Sequence, residues 1–387
     1  MKLKSFFKGE LVRSASIIFL AGLSSNLILF VANLVIAKVL GPDQFGIFKT
    51  IVYLAGFLPL LIELGINATL TKYIAEFGKK KEKIGYLVKN FIKLKVLTYV
   101  LLIVLTLVFK DELSLYLLKD ASMSYLLLPA ILLMALSFFS IFQFIVLGYQ
   151  KFKLFALTQF LSFSSAAILG ILLSGFGIFY IVLGWSFGTL IGNLFNIKFF
   201  FEKEVIKKSK EFDIKKIFVR FSIPIYLTNI IMNSFNVIIP ILSIFFSQKI
   251  IGYFSFAFIF YFATMLIPTS ISSVVFPKVS ELNGLKRHKD AKNILRKAFS
   301  LYALVMIVGL LLVMFLTDWF ISIIAKEYLP SSFMFKVLVS FGLVFGFNTI
   351  YVNYLQGLGK VKRFALFNLI QNVLLFIISF ALLNVAS

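Results

Sequence analysis

Cysteine is absent from this 387-residue chain, which excludes disulfide bonds and thiolate chemistry. Histidine occurs once, as His288 in a Lys/Arg-rich loop, where simple solvation accounts for it. There is no Walker A motif and no G-x-G-x-x-G phosphate loop, so direct use of ATP is not expected. No cluster of His, Cys, Asp and Glu would converge on a metal or a reacting bond. No catalytic residue, metal site or cofactor is therefore expected. Acidic residues are scarce, 16 against 39 Lys and Arg, and only Glu63 lies well inside an apolar run.

What the chain does have is apolar surface. It is 60% hydrophobic, has a mean hydropathy of +1.00 and carries 49 Phe, more than a soluble domain could bury. That composition predicts an all-α polytopic membrane protein. The net charge of +23 does not point to nucleic acid, because the basic residues sit in short loops between apolar runs. It is instead a positive-inside pattern, with attraction to anionic headgroups as a secondary effect. Residues 1–26 resemble a signal peptide, but the apolar character continues to Val39, which predicts an uncleaved first span.

Runs of about 20 apolar residues, enough to cross a bilayer, fall near 14–38, 46–69, 88–109, 124–148, 154–174 and 178–201. After a charged stretch they resume near 218–246, 251–275, 298–317, 334–357 and 363–385, giving eleven spans. One set of loops holds 32 of the 39 Lys and Arg; the other has only Lys38, Lys49, Lys110, Lys119, Lys249, Lys326 and Lys336. The expectation is a cytoplasmic N-terminus, an external C-terminus and a plasma-membrane location. Residues 202–217 read as an amphipathic cytoplasmic linker between a first lobe, 1–201, and a second, 218–387.

The run 218–246 carries a polar stripe. At 100° per residue, Ser222, Tyr226, Asn229, Asn233, Asn236 and Ser243 share a narrow arc of one helix. Lipid offers amides no partner, so this face must turn to protein or water. Two readings stay open: hydrogen bonds to neighbouring helices, worth about 0.6 kcal/mol each, or the lining of a polar pathway. Pro224, Pro240 and Pro268, with Gly170, Gly175 and Gly177, are expected bending points.

The chain also repeats itself. At an offset of 203, Asn26 and Asn33 fall on Asn229 and Asn236; at 206, Gly46, Phe48, Lys72 and Gly78 fall on Gly252, Phe254, Lys278 and Gly284. At 209, Gly148, Lys151 and Lys153 fall on Gly357, Lys360 and Lys362. A repeat of six spans, an even number, enters the membrane the same way twice, so a pseudo-two-fold axis along the membrane normal should relate the lobes. The sixth span has no partner in the second lobe, which leaves six spans plus five. A truncated chain, a working eleven-span protein and a twelfth span from another polypeptide all fit that gap.

These residues bring a family into view. Ala37, Lys38, Val39, Leu40, Gly41, Pro42, Asp43, Gln44, Phe45 and Gly46 resemble the "a-r-x-L-G-p-x-x-f-G" turn of prokaryotic polysaccharide-biosynthesis flippases. Glu63, Leu64, Gly65 and Ile66 resemble their acidic-Leu-Gly element, and Gly148 to Lys153 their "G-x-x-r-f-k" link. This is the oligosaccharide-flippase branch of the multidrug/oligosaccharidyl-lipid/polysaccharide superfamily. The resemblance implies two lobes in a V with a central cavity, moving a lipid-linked oligosaccharide from the cytoplasmic to the outer leaflet. The implied partners are a polyprenyl- or dolichyl-(di)phosphate-linked oligosaccharide, membrane lipids and glycan-assembly enzymes, with no nucleic acid.

A sugar–phosphate headgroup cannot cross some 30 Å of hydrocarbon without replacement hydration. Amides both donate and accept, so Asn26, Asn33, Ser222, Tyr226, Asn229, Asn233 and Asn236 are the candidate cavity residues. Lys38, Lys49, Lys93, Lys95 and Arg220 are candidate phosphate contacts near the mouths, against the alternative of snorkelling at the interface. Glu63 is a candidate for H⁺ or Na⁺ coupling or a structural partner of a nearby Lys. Two other classes compete: a multidrug/toxin extrusion antiporter, which would want lumenal carboxylates, and a membrane-embedded glycan-assembly enzyme, which would want convergent ones.

Overall fold

A computed structural model describes residues 2–386 apart from 79 and 208, with the backbone alone for 2–15, 277 and 361. Lys79, Lys208 and the side chains of Lys2, Lys4, Lys8 and Arg13 lie outside the described residues. Hydrocarbon leaves backbone amides no partner but their own chain, and every regular element among the described residues is helical. Among the described residues nine helical stretches are long and apolar enough to span, and the pair Ile214–Met232 and Ser234–Phe245, bent by 56°, adds a tenth. The first stretch, Ser16–Ile62, itself breaks at Gly41, whose φ of 71° and ψ of 171° only glycine adopts readily. With its two arms counted separately, the eleven expected spans are all represented.

Boundaries moved where local chemistry interrupts a helix. The second span stops at Ile62 instead of running to 69, because Leu64 (φ 50°) and Gly65 (φ 71°) turn the chain before the helix resumes at Ile66. The seventh is not the single continuous helix expected. A proline removes an amide donor and its ring clashes with the carbonyl four residues back. Counting back four from Pro224 reaches the π-turn Phe218–Ser222; from Pro240, the 3₁₀ segment Ser234–Val237; from Pro268, the end of helix Gln248–Thr264.

The duplication is visible in the backbone. Around 150, the N–H groups of Tyr149, Gln150, Lys151 and Phe155 donate to the carbonyls of Ile145, Leu147, Val146 and Lys151. Shifted by 209, those of Leu358, Gly359, Lys360 and Phe364 donate to Tyr354, Gln356, Leu355 and Lys360. The same turn is thus built twice, with Gln150 (φ 57°) at the left-handed position that Gly359 (φ 72°) holds in the second copy.

The chain forms two compact units, Met1–Val39 with Ile51–Ile230, and Leu40–Thr50 with Ile231–Ser387. This division differs from the lobe boundaries read from charge. Within residues 202–217, otherwise largely exposed, Val205 is buried in the first unit's core, and Phe212, Ile214 and Ile217 pack on it. The Lys210 amide donates to the Glu82 carbonyl, fixing the segment further. Residues 40–50 group with the second unit through Phe45, whose ring meets Tyr328 edge-on at 6.2 Å, and Thr50, which bonds Gln248 at 3.3 Å.

Candidate functional site

The break at 63–65 organises a buried polar cluster in the first unit. Turning the chain there exposes the first amides of helix Ile66–Phe77, which need acceptors in an apolar interior. Glu63 supplies them: its carboxylate oxygens accept from Gly65 at 3.0 Å and Asn67 at 2.6 Å. Facing it, Lys95 is fully buried and donates to Asn67 Oδ1 at 3.2 Å and Ser140 Oγ at 3.3 Å. Asn67 links the two, its backbone amide bonded to Glu63 and its side-chain oxygen to Lys95, and the ammonium also lies 5.4 Å from the ring centre of Tyr99. Lys95 was expected as a phosphate contact near a mouth. It is instead enclosed among helices of its own unit, because a long side chain buries its stem and seeks the nearest polar atoms.

The same break receives the start of the seventh span. A Cβ on Gly65 would lie 2.2 Å from the Ser222 carbonyl oxygen, so only glycine allows the approach. Ser222 is buried and shares a 2.7 Å hydrogen bond with Thr69, while the Tyr226 hydroxyl donates to the Leu61 carbonyl. Ser243 donates to the Pro240 carbonyl at 2.7 Å. Three members of the expected stripe therefore serve packing and local bonding. The asparagines remain half-buried and are divided, Asn229 in the first unit, Asn233 and Asn236 in the second.

Of the other expected residues, Asn26, Lys38, Lys93 and Arg220 are exposed. Asn33 is half-buried and donates to the Leu29 carbonyl of its own helix at 2.7 Å. Lys49, expected at a mouth, is buried in the second unit with its ammonium 5.2 Å from the centre of the Phe45 ring and 5.7 Å from that of Phe48. The two ring faces offset part of the cost of burying that charge.

The second unit holds a cavity of ≈ 310 Å³ that the sequence reading missed. Asn353, Gln356, Asn368, Gln371 and Asn372 line it with Thr269, Thr349 and the rings of Tyr261, Phe262 and Phe364. No Asp, Glu, Lys or Arg is among the lining residues. The amides are held in place: Asn348 donates to Gln371 at 2.6 Å, and Gln371 to the Tyr261 hydroxyl at 3.4 Å. Asn372 donates to the Ile231 carbonyl and Ser234 hydroxyl, both at 2.9 Å. Asn353 and Asn368 donate to carbonyls four residues back at 2.9 Å, which leaves their side-chain oxygens as acceptors. A signal existed, since Asn368, Gln371 and Asn372 recur at i, i+3 and i+4, one face of a helix.

Comparisons with known proteins bear on the family and the fold. A 26% identical relative, an uncharacterized membrane protein of Methanocaldococcus jannaschii, aligns over 95% of this chain and 90% of its own length. Among solved structures, the lipid II flippase MurJ in an inward closed conformation superposes with a TM-score of 0.71 at 20% identity, covering 92% of this chain and 79% of that one. A multidrug resistance MATE family transporter of the MOP superfamily, inward-facing, superposes at 0.70 and 14%, covering 93% and 95%. At those identities the likeness is one of fold. The MatE family matches residues 224–381. The polysaccharide biosynthesis protein family matches residues 11–283, well over half of the sequence, and the chain belongs to that family.

Proposed function

We propose that the chain is a flippase that carries a lipid-linked oligosaccharide or polysaccharide precursor from the cytoplasmic to the outer leaflet by alternating access. The observation that carries this reading is the uncharged, amide- and aromatic-lined cavity of the second unit. Side-chain oxygens that accept hydroxyl protons, beside rings that cover apolar faces, suit a sugar. Asn26, Asn33, Asn229, Asn233 and Asn236 are further sugar contacts in this proposal, with Lys38, Lys93 and Arg220 meeting phosphate. Its setting is the plasma membrane with the N-terminus cytoplasmic, supported by the loop charges. An inside-negative potential favours outward movement of an anion by about 2.3 kcal/mol per charge per 100 mV, so the cargo itself can respond to the membrane voltage.

The MatE match over 224–381 favours a second reading, a cation-coupled drug antiporter. The cavity argues against it, because no carboxylate lines it to hold a cationic solute. Replacing Asn353 and Asn368 with Leu in a cell that depends on this chain for a surface glycan separates the two. The flippase reading predicts lost surface glycan at normal protein level; unchanged glycan would overturn it.

A further inference from the structure

In each repeat the turn between the second and third spans is basic, and in each it walls a pocket. In the second unit, Lys278, Arg287, Asn293, Arg296 and Lys297 line a cavity of ≈ 480 Å³. Two of these cations are neutralised locally, Arg287 by Asp290 at 2.6 Å and Lys278 by Glu281 at 3.0 Å. Arg296 and Lys297 have no ion-pair partner among the described residues, so two positive charges stay uncompensated beside the Asn293 amide. In the first unit, Lys80, Lys81, Lys83 and Lys210 line a cavity of ≈ 540 Å³ together with Glu82 and Glu211. The 206-residue offset puts Lys80 and Lys81 on Lys286 and Arg287. The turns also share a backbone bond, Lys80 to the Phe77 carbonyl and Lys286 to the Asn283 carbonyl, each 3.0 Å.

We propose that the second unit's pocket is a phosphate site, with Arg296 and Lys297 supplying the charge. A guanidinium presents a planar fork to two oxygens, an ammonium adds a point charge, and the Asn293 amide offers a further donor. Loop charge alone would serve orientation if scattered; here two uncompensated cations are gathered at a concavity large enough for a headgroup. Basic pockets between spans suit anionic lipid headgroups, and a soluble phosphate has the same chemistry. This inference does not depend on what the protein transports.

The test is native mass spectrometry of the full chain titrated with phosphatidylglycerol or phosphatidylcholine, and calorimetry with inorganic phosphate. The double variant Arg296→Gln, Lys297→Gln is expected to weaken binding of phosphatidylglycerol, or of inorganic phosphate if the ligand is soluble, by about tenfold or more. Which probe loses affinity identifies the source. The control Lys289→Gln, Lys292→Gln removes equal charge from the same helix outside the pocket and is expected to stay within about twofold of the parent. Arg296→Gln alone carries the test if the double variant does not purify. Equal losses in both pairs would show diffuse attraction and overturn the site, as would no loss in either.

Discussion

Gly46 and Gly252 form a reciprocal pair. A Cβ on Gly46 would lie 1.9 Å from the Gln248 carbonyl oxygen, and one on Gly252 would lie 1.7 Å from the Pro42 carbonyl oxygen. Gly252 is Gly46 displaced by 206 residues, and Gln248 is Pro42 displaced by the same 206. A contact in which residue i meets j while the counterpart of i meets the counterpart of j is what a two-fold axis produces. The duplication read from the sequence therefore has a local geometric expression, where two helix starts cross with no room for a side chain.

Gly46→Ala and Gly252→Ala should each destabilise the protein by ~2 kcal/mol or more, since backbone rather than a flexible side chain must move. Gly22→Ala and Gly56→Ala, where nothing lies within 4 Å of the added atom, should be near neutral. Thermal unfolding in detergent reads all four. A marked inequality between the first two would argue against the pseudo-symmetric crossing.

Lys95→Met should cost about 3 kcal/mol, because it leaves the Glu63 carboxylate buried beside an apolar group. Adding Glu63→Gln should recover part of that, since the amide removes the stranded charge and keeps one acceptor for the Gly65 or Asn67 amide. Denaturant or thermal curves of the two variants decide it. If the double variant is no better than Lys95→Met, the two residues do not act as a pair.

Ser222→Ala should destabilise by ~1 kcal/mol through loss of its buried bond to Thr69. Thr69→Ala added to it should cost less than the sum of the two single losses, as expected for partners in one hydrogen bond. Additive losses would mean the two hydroxyls are independent.

Pro240→Ala restores an amide that can reach the Asn236 carbonyl, so the 3₁₀ segment Ser234–Val237 should relax towards α-helix. Hydrogen exchange at residue 240 should then be slow, as in a regular helix. Rapid exchange there would show that the bend has another cause.

Much of the fold was open to a reader of the sequence, for identifiable reasons. Spans announce themselves because hydrocarbon tolerates only long apolar helices. The bends at Pro224, Pro240 and Pro268 follow from a missing donor and a ring clash, both local. The direction of Lys95 did not follow, because it depends on Asn67 and Ser140 from two other helices. The partners of Ser222 and Tyr226 were equally hidden, since the break at Gly65 selects which face of the seventh span meets Thr69 and Leu61. The amides of the second-unit cavity could have been found. They lie at helical spacing on the last span, but the run around them is apolar enough to mask the pattern.

The central claim is that an uncharged cavity in the second unit holds the sugars of a lipid-linked cargo. It is tested most directly by flipping of a fluorescent polyprenyl-diphosphate oligosaccharide in proteoliposomes, comparing the parent chain with Asn353→Leu, Asn368→Leu. The account predicts flipping by the parent and a loss of about tenfold or more in the variant, the scale of two lost hydrogen bonds. Equal flipping by both, or no flipping alongside ion-driven efflux of a cationic dye, would contradict it.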